Sequence, residues 1–536
     1  MFTKLQGLRA WIVSLDGWHR RFLALALGAA MVLGLPPFHI WPLLIPGMTG
    51  LVWLIDGSRP SGGVWRLGLT KRAGWAAFSI GWWFGTGFFM AGLYWISYSF
   101  LVDATSFAWM IPFAIFGLSA FMAIYIGLGS WAAFLTARPG LSRVFGVAIW
   151  WVAFEWGRGW AFTGFPWNLL GTAWTNVEGM LQVTAYTGVF GLSLITALAA
   201  AAPAALGYAT LTRRIRWNYI VVLWAVLAAV WIGGEFRLQG GGHDTADGVR
   251  LRLVQPKIAQ RDKWKPDLRR RHFDTLLRLS RQPAAPGVLP PTHVIWPETA
   301  TPLFLSSVPE AVRIAAQAAP VGGALLTGAP RQSRPAQGPR EIWNSFHVVN
   351  AQAQVAETYD KYHLVPFGEY VPFKRFLNIS ALTGRTDFSP GPGPRSLSVP
   401  GAPPVTPLIC YEAVFPGKVT PGAFDQRPGW LLNLTNDAWF GVSTGPFQHF
   451  AATKLRAVEE GIPLVRVANT GISGVTDAYG RVIVQTKLEE QIAVDTALPK
   501  ALEKPTWFAR HGNETFLVIT IILFGISRIP QMFPGE

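Results

Sequence analysis

Eight apolar runs punctuate the chain, at roughly residues 22–35, 41–55, 74–100, 107–136, 144–156, 184–210, 217–234 and 515–527. Crossing a bilayer core takes roughly 20 apolar residues of helix. Several of these runs fall short of that, TFLVITIILFGIS at 515–527 most clearly, so tilt or half-spans are expected there. Composition agrees with a membrane protein: 51% of residues are hydrophobic and only 14% charged, where a soluble domain carries near 25%. The 26 Trp and 35 Phe suit interfacial belts, not disorder.

Loop charges give the runs a direction, because short cytoplasmic loops retain Lys and Arg. Lys4, Arg9, Arg20 and Arg21 precede the first run. Arg59, Arg66, Lys71 and Arg72 lie between the second and third, Arg138 and Arg143 follow the fourth, and Arg213, Arg214 and Arg216 follow the sixth. The alternate loops carry Asp103 and Glu178, with Arg158 the nearby positive. Seven spans before residue 235 then put residues 236–514 outside the cytoplasm, and Arg528 returns the C-terminus inside. Arg20 and Arg21 ahead of an apolar run mimic a signal peptide. Pro36 and Pro37 follow without a small-residue cleavage site, so a retained anchor is expected. Residues 1–236 hold 14 Lys and Arg against six Asp and Glu. The formal charge of +16 is thus largely topological, and no nucleic-acid partner is expected.

The intervening stretch of about 280 residues is long enough for one globular domain. The expected domains are a transmembrane part at 1–236, an extracytoplasmic α/β domain at 237–514, and a final span with its tail at 515–536. LQGGGHDTADG (238–248) reads as a flexible linker. Strand-like runs follow at 249–255, 293–298, 324–330, 345–351, 407–412, 430–436, 463–469 and 474–485, with helical stretches at 267–281, 309–319 and 449–461. Pro/Gly-rich pieces at 283–291, 333–340 and 389–404 read as surface loops. Mixed strands and helices of this kind predict an α/β or α+β sandwich.

Three residues stand where apolar runs stop. Glu298 closes VIWPE, and a carboxylate at the end of a buried strand becomes a better base. Lys361 lies in YDKYHLVPFGEYVP (359–372), where Pro366 and Gly368 set a turn and Glu369 follows. Cys410 ends PLIC; it is the sole cysteine, which excludes intrachain disulfides and Cys-rich metal sites. Singly, each has an ordinary explanation: a surface Glu, a solvated Lys, a core-filling Cys. Together they supply what thiol acyl transfer requires, a nucleophile, a base for its proton and a cation for the oxyanion.

Glu298 in WPETA, Lys361 in KYHLVPFGEYVP and Cys410 in CYE resemble the Glu-Lys-Cys set of the nitrilase, or carbon–nitrogen hydrolase, superfamily. The spans around the domain, VPFGEYVP and NDAWFGVSTGPFQHF (436–450) resemble its membrane-embedded apolipoprotein N-acyltransferase family over nearly the whole chain. That resemblance implies an αββα sandwich on a bacterial inner-membrane base of about eight spans, facing the periplasm with both termini cytoplasmic. It implies acyl transfer from a phospholipid to the Cys410 thiol, and then to the α-amine of a diacylglyceryl-cysteine at a lipoprotein N-terminus. Cys410 is the implied nucleophile, Glu298 the general base and Lys361 the oxyanion cation. Glu369, Tyr411, Glu412 and Trp264 match further positions the family needs, Trp264 on a lipid-contacting arm. Ile462 stands where the family pattern has Arg. No cofactor or metal is implied, and a monomer is expected.

Other readings compete. GVSTG (441–445) fits the nucleophile-elbow pattern and makes Ser443 a rival, although AWF intervenes after the strand and Pro446 follows at once. His449 lacks HExxH or CxxC companions for a metal, and a hydrogen-bonding place at a helix start suits it. Glu155 with Arg158 suggests a transport path, or an i,i+3 pair anchoring a helix end. A membrane-tethered amidase acting on a small amide with the same three residues is the nearest alternative.

Overall fold

The computed structural model describes residues 2–58, 67–301, 303–305, 307–333, 341–372, 387–422 and 426–532. Arg59 and Arg66, the side chain of Lys71 and most of the 333–340 piece lie outside the described residues. The chain divides into two compact units, one of residues 1–240 with 510–536 and one of residues 241–509.

The first unit is helical: α1 (Phe2–Ser14), α2 (Gly17–Met31), α3 (Leu44–Asp56), α4 (Leu67–Leu93), α5 (Ile111–Thr136), α6 (Leu141–Gly157), α7 (Thr184–Ala201) and α8 (Arg213–Gln239), closed by the C-terminal helix Glu514–Met532. Each expected apolar run lies on one of these helices. Four stretches among the described residues are long and apolar enough to cross a membrane, at 72–101, 104–136, 184–207 and 213–239. Helices α2 and α4 approach closely through Gly28 and Gly87, where a Cβ would strike the partner backbone, the small-residue packing of lipid-soluble helices. Arg9 (2.9 Å), Arg143 (3.4 Å) and the Tyr208 hydroxyl (2.8 Å) converge on the Asp56 carboxylate. These residues come from segments that the charge pattern assigns to one face.

Glu155 and Arg158 form a buried pair (3.8 Å). Arg158 donates to Phe165 O (2.8 Å) and Glu155 accepts from Leu170 N (2.9 Å). The pair thus satisfies backbone groups of the irregular chain after α6, as lipid-depth backbone demands.

The second unit holds two six-stranded sheets, in orders β12-β1-β2-β3-β4-β5 and β11-β10-β9-β8-β7-β6. The first comprises β1 (Thr245–Gln255), β2 (His293–Ile295), β3 (Ala324–Gln332), β4 (Ile342–Val349), β5 (Val355–Asp360) and β12 (Ile492–Pro499). The second comprises β6 (Leu397–Val399), β7 (Ala402–Ile409), β8 (Trp430–Thr435), β9 (Leu464–Ala468), β10 (Gly474–Thr476) and β11 (Val482–Gln485). Their inner faces share one core in which Leu253, Ile295, Leu326 and Phe346 meet Ile409, Leu432, Leu434 and Val467. Helices α9 (Arg269–Ser280) and α10 (Pro309–Ala316) cover the first sheet through Phe273, Leu276 and Ala315. Helix α11 (Gly445–Glu460) covers the second through Ala457. The layers run α, β, β, α. Because β1–β3 and β7–β9 are parallel and covered on both faces, their sequences are predominantly apolar, with Arg252, Asn433 and Arg466 as buried polar exceptions.

Two loop expectations are corrected. The 238–248 linker is largely built in: α8 runs to Gln239, β1 starts at Thr245 opposite Pro499, and Arg481 donates to Gly241 O (3.2 Å) and Gly242 O (2.6 Å). The 389–404 piece holds the β6–β7 hairpin, its turn made at Gly401 with φ +72°, a conformation glycine adopts without strain. The 474–485 run is likewise a hairpin, β10 and β11.

Candidate active site

The residues singled out at strand ends follow three strands of the two sheets, β2 and β7 from the interior and β5 from an edge. Glu298 follows β2, Lys361 follows β5 directly, and Cys410 follows β7 directly. Parallel strands deliver side chains at their C-terminal ends, and two of these three strands belong to parallel sets.

Lys361 is 1% exposed, with Nζ 2.8 Å from Glu369 Oε2. The Asn344 side-chain amide, from β4, donates to Glu298 Oε1 (2.7 Å) and to Glu369 Oε1 (3.0 Å). Val365 N also donates to Glu369 Oε2 (2.9 Å). One amide therefore holds the two carboxylates apart at a fixed spacing. Burial raises the Glu298 carboxyl above its ordinary value, Lys361 opposing and Glu369 adding to the rise. Burial pulls the Lys361 ammonium down, but Glu369, Cys410 and Glu298 outweigh it and hold the ammonium above its ordinary value. The Cys410 thiol is pushed up to about 12 by burial and by Glu298, with Lys361 opposing. The resting sulfur is thus protonated, with Glu298 and Lys361 acting on it electrostatically in opposite directions.

Cys410 has φ +54°, a left-handed backbone costly for a residue with a side chain. Two buried donors hold its carbonyl: Asn433 Nδ2 (3.2 Å) and His449 Nε2 (3.3 Å). His449 Nδ1 faces Asp437 Oδ1 and Arg466 Nη2, each at 3.0 Å, and Arg466 pairs with Asp437 Oδ2 at 2.7 Å. Burial and then Arg466 lower the His449 pKa, which leaves a neutral ring whose Nε2–H tautomer suits the carbonyl. Glu412 closes the turn. Its Oε2 accepts from Ile409 N (2.7 Å), and its Oε1 accepts from Tyr359 Oη (3.0 Å), Tyr362 N (2.8 Å) and His363 N (3.2 Å). The nucleophile turn is thereby tied to the segment carrying Lys361.

Tyr411 is buried and packs edge-on to Phe415, with ring centroids 4.9 Å apart. Trp264 is 43% exposed, next in the chain to the buried Lys263.

The description apolipoprotein N-acyltransferase N-terminal domain fits residues 27–202, and carbon–nitrogen hydrolase fits residues 250–501. Along nearly its full length the chain is similar to the apolipoprotein N-acyltransferases of Rhodopseudomonas palustris (39% identical over 545 residues, 99% of each chain) and Bradyrhizobium diazoefficiens (39% over 538 residues, 98% of each). The chain belongs to the apolipoprotein N-acyltransferase family. A solved amidase from Nesterenkonia sp. is similar over 53% of this chain and 99% of its own, at 19% identity and a TM-score of 0.34.

Within this family frame, the departure at Ile462 is an apolar core position, packed with Leu408, Ala457 and Leu464. Ser443 donates to Phe440 O (2.7 Å) and accepts from Gly445 N (3.1 Å), so its hydroxyl serves a turn at the start of α11. Asn344, Lys263, Asn433 and Arg466 escape the sequence reading. Asn344, Asn433 and Arg466 share one signal, a polar side chain inside an otherwise apolar strand, which a buried sheet tolerates only with partners.

Proposed function

We propose that this chain acylates lipoproteins: it moves an acyl chain from a membrane phospholipid to the Cys410 thiol, and then to the α-amine of a diacylglyceryl-cysteine at a lipoprotein N-terminus. The observation that carries the reading is the set of buried Glu298 and Lys361 with half-buried Cys410, linked through Asn344, Glu369 and Glu412, in a chain of this membrane family.

In the first half-reaction Glu298 takes the thiol proton, sulfur attacks the ester carbonyl, and Lys361 steadies the oxyanion. The C–O bond breaks and the lysophospholipid leaves with the proton from Glu298. In the second, the amine attacks the thioester. Its surplus proton passes through Glu298 to the departing sulfur, which regenerates the thiol. Glu369 holds Lys361, Glu412 and Tyr411 shape the nucleophile turn, and Trp264 meets lipid. A thioester keeps the acyl group reactive until an amine arrives, provided water is kept out.

The membrane base suits the substrate. Drawing about 15 methylenes into water costs on the order of 12 kcal/mol at about 0.8 per CH₂. The proposed setting is the bacterial inner membrane, with eight spans, seven within residues 1–236 and one at 515–536, both termini cytoplasmic, and the catalytic domain of 237–514 in the periplasm. The enzyme is proposed to act as a monomer without a cofactor.

The test is incubation of the purified protein with acyl-labelled phospholipid alone. Label on Cys410, released by hydroxylamine and missing from Cys410→Ala, is the expected result. Absence of a thioester together with hydrolysis of a soluble amide would make the chain an amidase instead.

A further inference from the structure

Lys263 is a second buried ammonium beside the same site, and the reaction described above does not use it. It is 2% exposed, and its Nζ donates to Glu298 O at 3.0 Å. Its backbone is pinned: Lys263 N donates to Gln260 O (3.3 Å) and Asp262 N to Ala259 O (3.0 Å). Gln260 in turn accepts from Asn436 (2.6 Å). A lysine is seldom buried this deeply without a charge to answer. The charges it answers are Glu298 and Cys410, and its own charge acts on His272 of α9.

Counting charge shows what it adds. Glu298 and Glu369 are two carboxylates; Lys361 is one ammonium, committed to Glu369 at 2.8 Å. Lys263 answers the second carboxylate; Glu412, raised to about 7 by burial, and Asp437, paired with Arg466, complete the charges that act on Lys361 and Cys410. When the S–H bond of Cys410 breaks and an O–H bond forms on Glu298, negative charge moves from carboxylate to sulfur, and a second cation is needed where it arrives.

We propose that Lys263 is a positioning residue of the acyl-transfer site: it holds the Glu298 main chain and supplies the charge that lets Cys410 ionise while Lys361 is engaged with Glu369. This rests on Cys410 being the nucleophile. Burial pulls the Lys263 ammonium down to about 8, with Glu298 and Cys410 opposing, so its charge is present at neutral pH and disappears above that value.

Cys410 is the sole cysteine, so iodoacetamide alkylation of the full-length protein in detergent reports its ionisation alone. The measurement compares wild type with Lys263→Gln from pH 6.5 to 9.5. The variant should react about tenfold more slowly at pH 7, as loss of a neighbouring opposite charge implies. The gap should close above pH 8, where wild-type Lys263 is itself neutral. Equal rates at pH 7, or a gap independent of pH, would overturn the proposal. Should the variant fail to fold, the wild-type profile decides: a break in slope near pH 8 supports it, and one unbroken slope overturns it. Acylation of wild-type Cys410 by labelled phospholipid, run alongside, separates the two ideas. Acylation without the alkylation gap removes only the role of Lys263; no acylation removes the thioester route beneath it.

Discussion

Lys361 Nζ and Glu369 Oε2 are 2.8 Å apart, with the lysine 1% exposed and the glutamate 5%. A buried pair of this kind is costly to halve, because the surviving charge loses its partner in a dry site. Glu369 also takes an Asn344 N–H at 3.0 Å, so it aims the cation and braces the base at once.

Glu369→Gln should therefore leave Cys410 in place and cripple its acylation, by about 100-fold, the scale of losing one preorganised charge-stabilising contact. Single-turnover labelling by phospholipid measures this. An effect under threefold would mean that Glu369 contributes nothing beyond packing.

Asn433→Ala and His449→Ala each remove one donor from the Cys410 carbonyl, which the left-handed backbone holds inside the protein. Each variant leaves the other donor in place, and one hydrogen bond is worth about 0.5–1.5 kcal/mol, so acyl-enzyme formation should slow by up to about tenfold. Ser443→Ala is the control, and its rate should stay within about twofold of wild type. Loss of acylation in the serine variant with retention in Cys410→Ser would reassign the nucleophile.

The buried histidines of the α/β unit should weaken it in acid. Burial lowers the pKa of His272, His293, His347 and His449, His347 to about 4. Unfolded histidine binds a proton near 6.5, so below that pH these four sites hold more protons in the unfolded chain than in the fold. The stability they contribute is full above pH 6.5 and is lost progressively as pH falls toward 4. Glu298, Glu412 and Glu460, whose carboxyls burial raises, act in the opposite direction over the same range. His347 alone contributes about 2 kcal/mol of loss between pH 7 and 5. Thermal unfolding followed by tryptophan fluorescence isolates it, because His347→Asn should shed that part. Equal midpoint changes from pH 7 to 5 in wild type and His347→Asn contradict the expectation.

Orientation is open to direct labelling. On a Cys410→Ala background, Asp103→Cys should react with an impermeant maleimide added to the periplasmic side, and Arg214→Cys only after the membrane is opened. The reverse pattern would invert the proposed topology.

The fold was legible wherever burial is two-sided. The parallel strands β1–β3 and β7–β9 are predominantly apolar, broken by single polar residues such as Arg252, Asn433 and Arg466, and helix α11 packs its Ala457 face against β7–β9. Strand β5, VAETYD, was missed because it is an exposed edge with little apolar pattern, and β6 because three residues inside a Pro/Gly-rich piece give no period. Of the proposed site, Cys410 and Glu298 stood out because reactive side chains end apolar runs, and Lys361 through the motif KYHLVPFGEYVP that it opens. Asn344 and Lys263 did not, since their partners lie 46 and 35 residues away and only the folded sheet brings them together. The short helices α2 and α6, at 15 and 17 residues, show why span counting from apolar length is weak.

Glu412 grips the turn after β7 and the end of β5 simultaneously, across the two sheets. In the proposed cycle two bulky greasy reactants are served in succession, so the side chains that meet their tails are free to differ between variants. The sulfur and the ammonium are not. Their mutual placement is stapled from behind by one carboxylate, and substrate preference can therefore be re-engineered at the rim without retuning the chemistry underneath.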